Sequence, residues 1–282
     1  MLLSSFIQES TAALGRLYPA PEARSMVLML CEERLGVKSY THIVIPSTEI
    51  PDEALPGLQE DMRRLLASEP LQYVLGFTMF YGRRFNVTPD VLIPRPETEL
   101  LVDEAVKAGL ALGRKLRVLD LCTGSGCIAW SLFQELQDAE VVAVDISPAA
   151  LVVARSQFGG PGPEFILADV LKDADSFDHG MFDIIVSNPP YVMEKEKPAM
   201  RANVLDNEPP IALFVPDDDP LLFYRAIAGW ALRFLAPDGT CIVEINESLC
   251  APTMEVFTRA GFRNAVGLCD LSRRFRMVKF TR

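Results

Sequence analysis

Apolar positions in residues 1 to about 75 recur at helical spacing. Leu3, Phe6, Ile7 and Leu14 form one stripe before the Pro19-Ala20-Pro21 break. Ala23, Met26, Val27, Leu30 and Leu35 form a second, and Leu58, Met62, Leu65 and Leu66 a third beyond Pro46, Pro51 and Pro56. Three or more short amphipathic helices joined by Pro-rich turns predict a small all-α bundle. The period then changes. Phe77–Tyr81 and Arg84–Val87 flank Gly82 as the arms of a β-hairpin. Val91–Arg95 is extended, and Pro96 with Glu97 and Glu99 opens a helix, because proline fits the first helical position and acids suit the positive dipole end.

From Arg117 strands and helices alternate. Strands are expected at 117–121, 140–145, 165–168, 182–187 and 240–245, and helices at 128–136, 148–158, 221–235 and 251–260. Two closing strands are expected at 262–268 and 275–280. Such alternation predicts an α/β fold: a mostly parallel sheet with helices on both faces and an antiparallel terminal strand. The expected division is a helical domain over residues 1–75, a hairpin linker over 76–95 and an α/β domain over 96–282. Trp130 and Trp230 fall on helical patterns and read as core.

Composition narrows the classes. At 282 residues, 49% apolar and 23% charged, the chain is of ordinary globular make-up. No run approaches a membrane span. No basic residue precedes Arg16, so a secretory signal is not expected and the cytoplasm is. Six cysteines include no C-x-x-C pair and there are two histidines, so no metal site is expected. The net charge is −11. Residues 1–95 carry 9 basic and 11 acidic side chains; residues 96–282 carry 18 and 27. That balance weighs against a polyphosphate partner.

Two segments carry candidate chemistry. Asp120-Leu121-Cys122-Thr123-Gly124-Ser125-Gly126 ends the first expected strand of the α/β region and opens a helix. Ligands in such sheets bind beyond the carboxyl ends of the strands. A dinucleotide would want a third glycine where Ala129 stands. A carboxylate at Asp120 would repel a pyrophosphate and attract a cation. S-adenosylmethionine carries a sulfonium and an α-ammonium, and its carboxylate suits a helix N-terminus. Asp145, ending the next strand, is placed to accept from ribose hydroxyls. The pattern therefore favours S-adenosylmethionine over NAD. Asp169 reads equally as a contact near the adenine or as a solvated loop acid.

Asn188-Pro189-Pro190-Tyr191 ends the strand at 182–187, on the same sheet edge. It suits methylation of a planar NH2 group, whose nitrogen lone pair is delocalised. Two acceptors that hold its two hydrogens favour a pyramidal nitrogen and aim the lone pair at the methyl. The Asn188 side-chain oxygen and the Pro189 carbonyl are such acceptors. Proline stiffens the loop, and Tyr191 offers a ring to stack on the substrate. Asn188 is expected to border both cofactor and substrate.

These residues resemble the class I methyltransferases with an N-P-P-Y motif, and more closely the bacterial peptide chain release factor glutamine methyltransferases. The resemblance runs through Glu69–Gly76, Phe80-Tyr81-Gly82, Val91–Glu99, the glycine loop, Ser187–Tyr191, Glu208-Pro209, Ala212–Phe214 and Asp270-Leu271. It implies a Rossmann-like sheet and methylation of the glutamine side-chain amide in the Gly-Gly-Gln loop of release factors, in translation termination. It implies that Cys122 to Gly126, Asp145 and Val170 contact S-adenosylmethionine, that Asn188, Pro189, Pro190 and Tyr191 hold the glutamine, and that the helical domain docks the protein substrate. Cys122 departs from a usual glycine, and Asn207, Val215–Asp219 and Asn246-Glu247 also depart from the pattern.

Arg95 has two readings, reaching the active site from the hinge or pinning the hairpin by an ion pair; the second is favoured and no catalytic role is assigned. The alternative activity is adenine-N6 methylation of DNA or RNA, since adenine also presents a planar NH2. A third reading is a non-catalytic binding module. The expectation is a monomer acting on release factors, without membrane or direct nucleic-acid contact.

Overall fold

The computed structural model describes residues 1–282, which divide into two units. The first is Met1–Phe77 together with Arg201–Asn207. Its five N-terminal helices are α1 (Leu3–Leu14), α2 (Ala20–Leu35), α3 (Thr41–Val44), α4 (Leu55–Leu66) and α5 (Leu71–Leu75). The periodic residues Leu3, Leu14, Val27, Leu30, Leu58 and Leu65 are all buried in one cluster. Polar ties lock the turns: Arg34 donates to Asp61 (2.7 Å) and to the Val74 carbonyl (2.8 Å). The segment 201–207, expected within the α/β region, packs with this bundle. Arg201 pairs with Glu22 at 2.7 Å, and the Asn207 amide donates to the Ser68 carbonyl at 3.1 Å.

The second unit, Thr78–Met200 and Glu208–Arg282, contains the hairpin and the sheet. The hairpin strands are β1 (Phe77–Phe80), where the unit boundary falls, and β2 (Arg83–Asn86). Tyr81 and Gly82 both have positive φ (49° and 72°), the turn geometry that matches strand twist. Expected as a linker, the hairpin instead buries Phe80 and Phe85 in this unit's core. Glu99 accepts from the Tyr81 backbone amide at 2.8 Å, so it does more than favour a helix start.

The remaining elements follow in chain order: α6 (Glu99–Leu112), β3 (Arg117–Leu121), α7 (Cys127–Glu135), β4 (Glu140–Asp145), α8 (Pro148–Arg155), β5 (Glu164–Leu167), β6 (Phe182–Ser187), β7 (Val192–Met193), α9 (Ala202–Leu205, packed with the bundle), β8 (Phe214–Val215), α10 (Leu222–Phe234), β9 (Leu235–Glu244), α11 (Cys250–Arg259), β10 (Arg263–Cys269) and β11 (Phe275–Thr281). β9 starts five residues earlier than expected, at Leu235, and its pairing with β6 shifts register between Leu235 and Thr240.

Seven strands pair in the order β10-β11-β9-β6-β3-β4-β5. The five strands from β9 to β5 run parallel; β11 is antiparallel to β9, and β10 to β11. Alternate residues feed opposite faces. Val118, Ala143 and Val186 pack beneath α6, α7 and α8, whereas Leu119, Val144 and Val243 pack beneath α10 and α11. Both tryptophans are buried in these cores, and their indole N–H groups donate to the carbonyls of Ala154 and Val170 at 2.8 Å. The strand order reverses between β3 and β6: β4 and β5 extend to one side, β6 and β9 to the other. Such a reversal opens a crevice at the carboxyl ends of the strands. Both chemistry-bearing loops leave the sheet there.

Candidate active site

A cavity of about 280 Å³ fills the crevice. The loop after β3 lines it with Cys122, Thr123, Gly124 and Ser125; the loop after β4 lines it with Asp145, Ile146 and Ser147. Asp169, Val170 and Leu171 come from the end of β5, and Asn188 and Pro190 from the end of β6. The remaining wall is Asp90–Leu92, Pro94, Thr98, Pro209, Ile211, Ala212 and Phe223.

The β3 loop is held open from below. Gly124 (φ 54°) donates its backbone N–H to Asp145 Oδ2 at 2.8 Å, and the Thr123 amide donates to the Val144 carbonyl at 2.9 Å. Gly126 (φ 78°) lies beneath the loop, and a Cβ there would meet the Ala154 side chain at 3.0 Å. Cys122 also has positive φ, 62°, a region where a side chain is strained and glycine is not. Glycine would adopt this angle without that strain. The turn is retained with cysteine.

Asp145 takes the Gly124 amide on one oxygen and the Ser147 amide (2.9 Å) on the other. Burial pushes its carboxyl above the ordinary value, and these backbone amides oppose the shift. Each oxygen accepts one of these amides, and a carboxylate oxygen can accept a further hydrogen bond. Asp169 also lines the cavity, but its carboxylate is engaged by the Leu171 amide and by Lys172, both at 2.9 Å.

Asp120 does not line the cavity. It is wholly buried on the α7 face of β3, where Thr123 Oγ1 donates to its Oδ2 at 2.6 Å and Oδ1 has no partner. Burial is the main cause that pushes its carboxyl up to about 7, and Asp145 adds to it. The expected direct attraction of a cation by Asp120 is therefore corrected: Asp120 supports the loop from behind. Gly126, Pro189 and Tyr191 likewise stand outside the lining. Gly126 is spent on helix packing and Pro189 is buried. The Tyr191 hydroxyl donates to Glu244 Oε1 at 2.9 Å.

The end of β6 is tied by groups that the sequence reading did not single out. Thr98, 1% exposed, receives the Asn188 Nδ2 donor at 3.3 Å and donates to Glu244 Oε2 at 2.7 Å. Asn246, noted only as a departure, donates to the Tyr191 carbonyl at 3.4 Å and to Glu196 at 3.0 Å. Arg95 pairs with buried Glu208 at 2.7 Å, and Glu208 also accepts from the Ile93 amide at 3.2 Å. The expected pin to the hairpin is thus a pin between the two segments that wall the cavity. The available signal was an acid, Glu244, closing an otherwise apolar strand beside β6.

Comparisons with known proteins agree with this architecture. Residues 96–208 match the methyltransferase small domain family, and residues 7–76 match the PrmC N-terminal domain family. The release factor glutamine methyltransferase of Bacteroides thetaiotaomicron is 39% identical over 282 residues, covering 99% of each chain. That of Flavobacterium psychrophilum is 37% identical over 283 residues, again covering 99% of each. That of Mycolicibacterium smegmatis is 38% identical over 239 residues, covering 82% of each. With both halves matched in order and relatives aligned end to end, the chain belongs to the release factor glutamine methyltransferase family.

Proposed function

We propose that the chain transfers the methyl group of S-adenosylmethionine to the side-chain amide nitrogen of the glutamine in the Gly-Gly-Gln loop of peptide chain release factors. The observation that carries the reading is one shared cavity: Asn188 and Pro190 face the same space as the glycine loop and Asp145.

The residues suit the cofactor. Asp145 offers carboxylate oxygens to a ribose diol, and Ile146, Leu171 and Val170 offer apolar surface to a base. Gly124 has no atom within 4 Å of where a Cβ would stand, so its bare backbone leaves room for a ligand. The first amides of α7 suit a carboxylate. When bound, S-adenosylmethionine supplies an electrophilic methyl on sulfur.

The chain then has to present a weak nucleophile in line with that methyl. In this reading Asn188 Oδ1, from a residue that lines the cavity, accepts one amide hydrogen, and the carbonyl of Pro189, whose ring lies outside the lining, accepts the other. Accepting both withdraws the nitrogen lone pair from resonance and aims it. Holding two reactants in that geometry supplies much of a transfer barrier. Burial of the loop roots and the apolar wall strengthen these dipoles by excluding water. Pro190 lines the cavity as a rigid, donor-free surface. The helical unit is proposed to dock the release factor, and the acidic balance of residues 96–282 weighs against a nucleic-acid substrate.

The test is transfer of labelled methyl from S-adenosylmethionine to release factor, to its loop Gln→Ala variant, and to DNA or RNA. Label on the wild-type factor alone is expected. Label on nucleic acid and not on the factor would replace this reading with adenine methylation.

A further inference from the structure

An asparagine amide is nearly the same shape in either of its two flipped orientations. Only one of them serves the proposed transfer. With Oδ1 toward the cavity, Asn188 accepts a substrate N–H; with Nδ2 there, donor would face donor. Something in the chain must choose.

We infer that Glu244, acting through Thr98, is the positioning device that fixes the Asn188 amide with its oxygen toward the substrate. This inference rests on the reading of Asn188 as the acceptor for a planar amide.

The sheet register brings the three residues together. Ser187 pairs with Val243, so Asn188 and Glu244 leave neighbouring parallel strands side by side. Thr98 reaches them from the turn before α6. Its hydroxyl is 2.7 Å from Glu244 Oε2 and 3.3 Å from Asn188 Nδ2. A threonine hydroxyl has one proton, and a carboxylate only accepts. The proton is therefore committed to Glu244, and Thr98 offers Asn188 lone pairs alone. Only Nδ2 can meet them, which turns Oδ1 outward. Thr98 is 1% exposed, which limits competition from water.

The second oxygen of Glu244 accepts from the Tyr191 hydroxyl at 2.9 Å. One buried carboxylate thus holds both ends of the Asn188–Tyr191 tetrapeptide. The direction of the chain depends on its charge. A protonated Glu244 could donate to Thr98, whose own proton could then point at Asn188 and favour the flipped amide. The surroundings of Glu244 are mixed. Burial and Glu97 push its carboxyl upward, while the Thr98 and Tyr191 hydroxyls and Arg276 of β11 oppose. The Tyr224 hydroxyl reaches only its backbone carbonyl, at 3.4 Å.

The experiment uses the full chain with Thr98→Val, which keeps the shape and removes the hydroxyl, and Thr98→Ser, which keeps the hydroxyl. With release factor as acceptor, Thr98→Val should lower kcat by about a hundredfold, with cofactor Kd and release factor KM little changed. Thr98→Ser should restore most of the loss. Wild-type kcat should fall as pH is lowered through the titration of Glu244, and the residual rate of Thr98→Val should not follow that limb. Isotope-labelled asparagine NMR gives a readout that needs no methyl acceptor: the Asn188 side-chain amide should show one hydrogen-bonded orientation in wild type and Thr98→Ser, and lose it in Thr98→Val. Wild-type kcat in Thr98→Val, a serine variant as slow as the valine one, or an Asn188 signal indifferent to Thr98 would each overturn the inference. A wild-type chain with the expected NMR behaviour that methylates no release factor would count against the proposed function alone.

Discussion

Asp120→Asn is a sharp perturbation because it removes a charge and leaves the shape. Asp120 lies in β3 with no solvent exposure, one oxygen on Thr123 and the other without a partner. Burial chiefly, and Asp145 secondarily, move its carboxyl from an ordinary 3.8 to about 7. The folded state therefore holds a proton that the unfolded chain releases. The resulting stabilisation is complete below the unfolded value and is lost as pH rises through the folded one. Three pKa units correspond to about 4 kcal/mol, an upper figure because the buried site relaxes. The asparagine variant has no such dependence, and its oxygen still accepts from Thr123. Stability of the variant minus that of the wild type should thus grow by up to about 4 kcal/mol between pH 4 and pH 8. Both tryptophans belong to the sheet unit, so urea unfolding followed by their fluorescence reports that unit. Titrations of groups that do not interact with Asp120 cancel in the difference. A difference flat with pH, or a variant that weakens relative to wild type at high pH, would refute the reasoning.

Other substitutions separate roles. Asn188→Ala should lower transfer by about a hundredfold to a thousandfold, while calorimetry finds cofactor binding largely preserved. Cys122→Gly should relieve the side-chain strain of φ 62°. It should raise the urea midpoint by an amount equivalent to about 1 kcal/mol, after the entropic cost of glycine. Arg95→Ala should leave buried Glu208 with only the Ile93 amide as donor. Because Arg95 is one-third exposed, a loss of about 1–3 kcal/mol is expected, with kcat retained.

Much of this architecture was legible because local pattern and global fold agree. Alternation of short apolar runs with helical stripes implied the parallel sheet, and the two loops at strand ends implied a shared edge. Much of what could not be read depends on residues distant in sequence. Thr98 and Glu244 meet only through the register of β6 and β9. The segment 201–207 belongs with the helical unit although it follows the sheet strands in the chain. Asp120 looked like a ligand contact because it ends a strand, but parallel strands are covered on both faces, so strand position alone does not reveal which face meets the cavity. The strain at Cys122 lies in a backbone angle that residue type does not disclose. The pattern offers the Tyr191 ring for stacking, but does not disclose that its hydroxyl joins the Glu244 network.

The most direct measurement locates the methyl group. Release factor incubated with the chain and S-adenosylmethionine is digested, and its peptides are sequenced by mass spectrometry. The account predicts one added methyl, confined to the side chain of the Gly-Gly-Gln glutamine and formed about a hundredfold or more slowly when Asn188 is replaced by alanine. A methyl on any other residue, or an unmodified glutamine under conditions where the chain consumes cofactor, would contradict it.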